Sequence, residues 1–162
     1  MHEAVFTKDM EQGTLRVERM FAAPIERVWA AHTESSLLGE WWAPLPWKAV
    51  TVEMDFREGG RWLYYMLGPE GERHYCAQKF ETIEPGKSFA GEDCFCDEHG
   101  VKKDDMPVSH WRVELAPEGD STQLTTTVSY AKPDDLKKVL EMGMQEGYTM
   151  GLNQLETLLS RE

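Results

Sequence analysis

Cysteine is scarce in this sequence: three in 162 residues, an odd number that makes no disulfide framework. Reduced thiols and a cytoplasmic address are the expectation. Basic residues are also few, 17 Lys and Arg against 29 Asp and Glu, for a net charge of −12. Nucleic acid and anionic membrane each ask for a basic face. No Lys/Arg cluster offers one, so neither is expected as a partner. No apolar run is long enough to span a bilayer, and the start has no charged-then-apolar pattern of the secretory kind. A phosphate loop, a nucleophile elbow and the usual zinc spacings are absent too. Catalytic residues, a metal and a cofactor therefore have no motif to rest on, and none is assigned. The length suits one domain.

Aromatic residues are concentrated in one stretch. Trp41-Trp42-Ala43-Pro44-Leu45-Pro46-Trp47, followed by Asp55-Phe56-Arg57-Glu58-Gly59-Gly60-Arg61-Trp62, holds four of the six tryptophans. A proline-bracketed segment is a poor helix and a poor central strand. Indoles leave water only where something apolar closes over them. The first part reads as an ordered loop at the rim of a pocket, and the second as a sharp Gly-Gly connection between strands.

Residues 1–13 are polar and without period, and read as an N-terminal arm or a frayed strand start. Residues 14–162 read as one domain. Thr14 to Phe21 alternates as a strand. Pro24 opens a short helix with Ile25, Val28, Trp29 and His32 on one face. A second short helix near Glu34 to Leu38 is expected to stop at Gly39. Strands follow over Ala49–Asp55, Arg61–Leu67, Arg73–Glu84, Ser88–Cys96, Val108–Ala116 and Thr122–Tyr130, with a charged loop from Asp97 to Met106. Pro133 starts one long terminal helix whose stripe runs through Leu136, Leu140, Met144, Tyr148, Gly151, Leu155 and Leu158. A mostly antiparallel sheet is the surface available to that stripe. The fold class is α+β: a curved antiparallel sheet around a long C-terminal helix, with two short helices between the strands at Thr14–Phe21 and Ala49–Asp55.

Several motifs resemble one known family. They are Arg19-Met20-Phe21-Ala22-Ala23-Pro24-Ile25-Glu26-Arg27-Val28-Trp29, Trp41-Trp42-Ala43-Pro44, Asp55-Phe56-Arg57-Glu58-Gly59-Gly60, Phe80-Glu81-Thr82-Ile83-Glu84-Pro85, and Gly147-Tyr148 with Leu152 and Leu155. Together they resemble the activator of heat-shock-protein-90 ATPase homologue-like group of the START/SRPBCC superfamily. Ala43 and Tyr148 depart from it, standing where the family has Gly and Trp. The resemblance implies the helix-grip fold and an apolar cavity between sheet and long helix. It also implies a hydrophobic ligand, a chaperone ATPase as partner, or cyclase-type chemistry.

The candidate ligand site comprises Trp62, Tyr64, Met66, Phe80, Trp111, Met144 and Tyr148 beneath a loop carrying Trp41, Trp42 and Trp47. Aromatic and methionine walls suit an adaptable apolar site. The expected partner is a small hydrophobic molecule, with the chaperone as alternative and a monomer or homodimer as the assembly. A cyclase or hydrolase reading requires a polar group in that pocket with a shifted pKa. Gly143, Gly147 and Gly151 recur on the terminal helix, for which close packing on the sheet, a ligand gap and a self-association seam are the alternatives. Cys76 and Cys94 could pair only if strand register brings them together. His32 reads as a satisfied core residue, and Arg19 and Arg57 as partners of acidic neighbours.

Overall fold

The computed structural model describes residues 3–161; Met1, His2 and Glu162, at the ends of the expected arm and domain, lie outside the described residues. The chain runs β1 (Val5–Asp9), β2 (Thr14–Phe21), α1 (Ile25–Thr33), α2 (Ser35–Trp41), β3 (Lys48–Met54) and β4 (Arg61–Leu67). It continues β5 (Arg73–Glu84), β6 (Ser88–Cys96), β7 (Val108–Glu118), β8 (Ser121–Tyr130), α3 (Pro133–Glu141) and α4 (Met144–Leu159). The strands make one eight-stranded antiparallel sheet in the order β1-β2-β8-β7-β6-β5-β4-β3. This is the α+β, helix-grip arrangement: α4 lies in the hollow of the sheet, and α1 and α2 bridge β2 and β3.

Side-chain parity produces the hollow. In β2, Leu15, Val17, Arg19 and Phe21 are buried while Arg16 is exposed. In β8, Thr122, Leu124, Thr126, Val128 and Tyr130 are buried. These two strands present a continuous inner face on which Leu152, Leu155, Leu158 and Leu159 of α4 rest in one shared core. A fully buried aliphatic side chain contributes about 1.5–3 kcal/mol, so this face anchors α4.

Three details differ from the sequence expectation. The N-terminal segment, expected as an arm or a frayed strand start, holds a full strand: β1 pairs with β2 from Val5↔Glu18 to Asp9↔Thr14. It is an edge strand with almost every residue exposed, so no alternation marks it. The second helix does not stop at Gly39 but runs to Trp41. Gly39 sits where a Cβ would stand 3.4 Å from the Ala49 carbonyl oxygen, so its role is close approach to β3. The terminal helix is two helices. Gly143 takes φ +91°, a left-handed conformation that glycine alone adopts freely, and the chain turns between α3 and α4 there.

The parity of Arg19 makes it a core residue beneath α4. Its guanidinium donates to Asn153 Oδ1 at 2.7 Å, lies 3.3 Å from Glu156 Oε1 and sits 5.3 Å from the Phe21 ring. The structural pair foreseen for Arg19 is thus made across the helix–sheet interface. Arg57, by contrast, pairs with Asp55 on the surface at 2.8 Å. At the far end of α4, Arg27 of α1 donates to the carbonyls of Leu159 and Arg161 at 2.7 and 2.9 Å, satisfying helix-end acceptors.

A buried charge that loses its partner is costly, whereas an exposed pair contributes little. Glu156→Gln is therefore expected to lower stability by about 2 kcal/mol, with Glu156 partly solvated. Glu40→Gln, which removes the surface pair to Arg161, is expected to change it by less than about 0.5 kcal/mol. Urea midpoints compare the two, and equal effects would refute the anchoring role of Arg19.

Candidate functional site

Between α4 and the middle of the sheet lies a cavity of about 290 Å³. That is close to the lower bound of roughly 300 Å³ for small-molecule pockets. Its sheet wall carries Tyr64 and Met66 from β4, Cys76 from β5, Asp93 and Phe95 from β6, Ser109 and Trp111 from β7, and Tyr130 from β8. The helix wall is Val139, Met142, Gly143, Met144, Gly147 and Tyr148, and Trp42 and Pro44 cover the top. Pro44, Met66, Phe95 and Met142 also line an outer groove that includes Trp47, His74 and Met106, so the cavity continues outward beside the break between α3 and α4.

Of the ten sequence candidates, Trp42, Tyr64, Met66, Trp111, Met144 and Tyr148 line this cavity. The other four do not. Trp41 belongs to α2 rather than the loop, and its ring is buried in the core with Nε1 donating to the Ala31 carbonyl at 2.9 Å. Trp47 lies outside in the groove, 5.4 Å from the His74 ring. Trp62 stands behind the wall, stacked on Tyr64 at 3.9 Å, and donates to Thr51 Oγ1 at 2.9 Å. Phe80 joins a separate cluster with Phe56, Phe89 and Trp29. Period two put Trp62 and Phe80 on the correct face, but not at the right height along their strands.

Trp42 is the hub of the site. Its Nε1 donates to Tyr64 Oη at 2.9 Å, and its ring meets Trp41, Trp62, Tyr64, Trp111 and Tyr148 at 5.3 to 6.4 Å. Edge-to-face packing of this kind adds to area burial. Gln154 of α4, which no sequence signal marked, fixes the backbone on both sides. Its Nε2 donates to the carbonyls of Trp41 and Ala43 at 3.0 and 2.7 Å, and its Oε1 accepts from Leu45 N at 2.9 Å.

The three glycines serve three ends. Gly143 breaks the helix. A Cβ on Gly147 would meet only Pro44 Cγ, at 4.0 Å, so this position leaves open space on the cavity wall. A Cβ on Gly151 would stand 3.3 and 3.4 Å from the carbonyl oxygens of Trp41 and Trp42. Close packing thus holds at Gly151, but against the end of α2 and not against the sheet.

Strand register separates the cysteines. Cys76 lies opposite Phe95, and Cys94 opposite Ala77. Cys76 therefore faces inward, whereas Cys94 and Cys96 pack with Leu63 and Ala77 on the outer face. All three are free, and Cys76 and Cys94, on opposite faces, do not bridge. Burial pushes all three thiols up, Cys96 to about 11. Among the described residues no group of three His, Cys, Asp or Glu is placed to hold a metal ion. None of the described helices is long and apolar enough to cross a membrane.

Sequence reasoning missed Asp93. It lies directly opposite Gln78 on β5 and Ser109 on β7, and Ser109 in turn lies opposite Tyr130 on β8. One polar rung thus crosses the inner face. Burial pushes the Asp93 carboxyl from 3.8 up to about 7, opposed by a hydrogen bond from Gln78. Tyr130 hydroxyl ionisation is likewise pushed up by burial. The available signal was parity: with Cys94 and Cys96 on one face, Asp93 and Phe95 take the other. A second buried polar group, His32, has Nδ1 2.8 Å from the Val28 carbonyl oxygen, while Nε2 finds no partner. Burial lowers its pKa from 6.5 to about 4, so it is a neutral, half-satisfied core histidine.

A curled antiparallel sheet holding a C-terminal helix over an aromatic cavity defines the helix-grip class of proteins. Within that class, the chain belongs to the family described as Activator of Hsp90 ATPase homolog 1-like protein, which matches residues 22–160. It is similar to protein Ms6760 of Mycobacterium smegmatis, with 31% identity, 98% of each chain covered and a TM-score of 0.89. It is also similar to a protein of Arthrobacter aurescens, with 33% identity, 96% of this chain and 91% of that one covered, and a TM-score of 0.91. The AHSA1 protein of Silicibacter pomeroyi shares 23% identity over 91% of this chain and 97% of that one, with a TM-score of 0.73, a likeness of fold alone. No protein of curated function matches.

The two shifted groups pull stability in opposite directions with pH. Between pH 4 and 6.5 the unfolded chain binds a proton on His32 that the folded chain refuses, so stability rises with pH. Between pH 3.8 and 7 the folded chain keeps a proton on Asp93 that the unfolded chain loses, so stability falls as pH rises. Each slope reaches at most about 1.4 kcal/mol per pH unit. Relative to the parent, Asp93→Asn is expected to gain stability steadily as pH rises through that window, and His32→Asn to lose it. Urea denaturation from acid to neutral pH measures both differences; variants that track the parent at every pH would contradict the assignment.

Proposed function

We propose that this protein binds a small, largely apolar molecule in the cavity between the sheet and α4. The observation that carries the reading is the cavity of about 290 Å³ walled by Trp42, Tyr64, Met66, Trp111, Met144 and Tyr148. At about 30 Å³ per water, it has room for on the order of ten waters, which suits a ligand of one or two rings. The bare position at Gly147 supports the same reading: glycine there costs about 1 kcal/mol of helix stability against alanine and keeps space that a side chain would fill. The free, buried thiols suit a reducing compartment, and we place the protein in the cytoplasm.

A second reading rests on Asp93. A carboxyl with a pKa of about 7 is suited to acid–base chemistry near neutral pH, as a cyclase or hydrolase would need. It is distinguished from binding alone by whether a bound molecule is recovered altered. A third reading, stimulation of a chaperone ATPase, rests on the family's description. Addition of the purified protein to the cognate chaperone tests it, and an unchanged ATPase rate removes it.

For the binding reading, the neutral probe N-phenyl-1-naphthylamine is expected to quench tryptophan fluorescence and raise the melting temperature. Gly147→Leu, which places a side chain in the cavity, is expected to weaken the probe by at least about ten-fold, the loss of a well-filled apolar contact. Gly147→Ala is the folding control and is expected to raise stability by about 0.5–1 kcal/mol. No response from the parent, or equal affinity in the leucine variant, would count against the cavity as the binding site.

A further inference from the structure

The cavity has an unusual charge balance. Among its lining residues there is no Lys, Arg or His, and one carboxyl, that of Asp93. The other titratable side chains on the inner wall are Tyr64, Cys76, Tyr130 and Tyr148, and burial pushes the ionisation of each upward, so they stay neutral; Cys94 borders the cavity with its side chain on the outer face. Asp93 takes part in none of the ion pairs among the described residues. Its neighbours across the strands, Gln78 and Ser109, bring hydrogen-bonding capacity but no positive charge.

Resting on the ligand-cavity reading, we infer that the molecule bound here carries a protonated nitrogen on its apolar body, with the nitrogen held at Asp93 and the aromatic wall of Trp42, Tyr64, Trp111 and Tyr148. A carboxyl withdrawn from water either keeps its proton or needs a partner charge, and among the described residues none makes an ion pair with it. A ligand ammonium supplies it. The faces of Trp and Tyr attract cations through the ring quadrupole, most strongly where water is excluded. All four rings line the same cavity, the other three packed around Trp42 at 6.3 to 6.4 Å. The net charge of −12 draws cations toward the protein as a whole. The same balance disfavours anionic ligands, since a fatty-acid carboxylate entering this cavity meets another carboxyl and no basic group. The outer groove carries one residue of each sign, Lys103 and Asp105, and does not reverse the preference.

Three probes of one shape test the inference: 2-(1-naphthyl)ethylamine, 2-(1-naphthyl)ethanol and the carboxylate of 1-naphthaleneacetic acid, called the acetate below. Calorimetric titration at pH 8 keeps the amine charged and Asp93 ionised. The amine is expected to bind at least about ten-fold more tightly than the alcohol, the scale of a close charge pair, and the acetate most weakly. In Asp93→Asn the amine is expected to fall to the affinity of the alcohol, while the alcohol binds as it does to the parent. That unchanged alcohol affinity also shows the variant to be folded. Alcohol binding equal to amine binding in the parent, or an amine preference that survives in Asp93→Asn, overturns this inference and leaves the cavity reading standing. If none of the three probes binds, the cavity reading falls and this one falls with it.

Discussion

The architecture turns on where the Trp42 indole is allowed to sit. It is wedged among the sheet, α2 and α4, with its single polar atom paired to Tyr64 Oη. On either side the chain is tied to α4 by Gln154, which occupies the carbonyls of Trp41 and Ala43 and the amide of Leu45. Moving the loop would strip partners from the half-buried groups among these, the Trp42 indole nitrogen and the carbonyls of Trp41 and Ala43, at a cost of about 1–3 kcal/mol for each one left buried without a partner. The loop, the helix and the inner sheet face are therefore one mechanical unit. The cavity is the space that unit leaves unfilled.

That space exists because the C-terminal helix is discontinuous and locally bare. At Gly143 the left-handed turn redirects the chain, and at Gly147 no Cβ reaches the cavity wall. One turn further on, Gly151 lets α4 close tightly on the end of α2. A helix with alanine throughout would be intrinsically more stable. The three glycines instead bend the helix, leave room, and pack it tightly, in that order along the chain.

Three ionisable groups that point into the fold, an arginine, a histidine and an aspartate, are accommodated differently. Arg19 meets Asn153 and Glu156 across the helix interface. His32 gives up its charge and keeps one hydrogen bond. Asp93 has amide and hydroxyl neighbours but no cation. The first two meet their partners within the chain, His32 through one ring nitrogen only. The third faces the cavity, and the chemistry that would complete it comes from outside.

How much of this was legible beforehand depended on the distance over which each fact is decided. Alternation in Thr14–Phe21 and Thr122–Tyr130, the prolines at the start of the first and last helical runs, Pro24 and Pro133, and the motifs around Trp41-Trp42 are local. They were enough for the strands β2 to β8, the helix-grip class and the family. Edge strand β1 escaped because an exposed strand needs no alternation. The ends of α2 and the break at Gly143 escaped because a glycine's role is set by what lies against it in space. By itself, then, the sequence determined the order of the strands β2 to β8 with the helical runs between and after them, and the faces of those strands, since periods of 2.0 and 3.6 residues are written into neighbouring positions. Only the tertiary structure decided which aromatic rings line the cavity, that Gln154 ties the loop to α4, and that Asp93 sits at its wall without a cation. Those outcomes follow from strand register and helix docking, which join residues far apart in the chain.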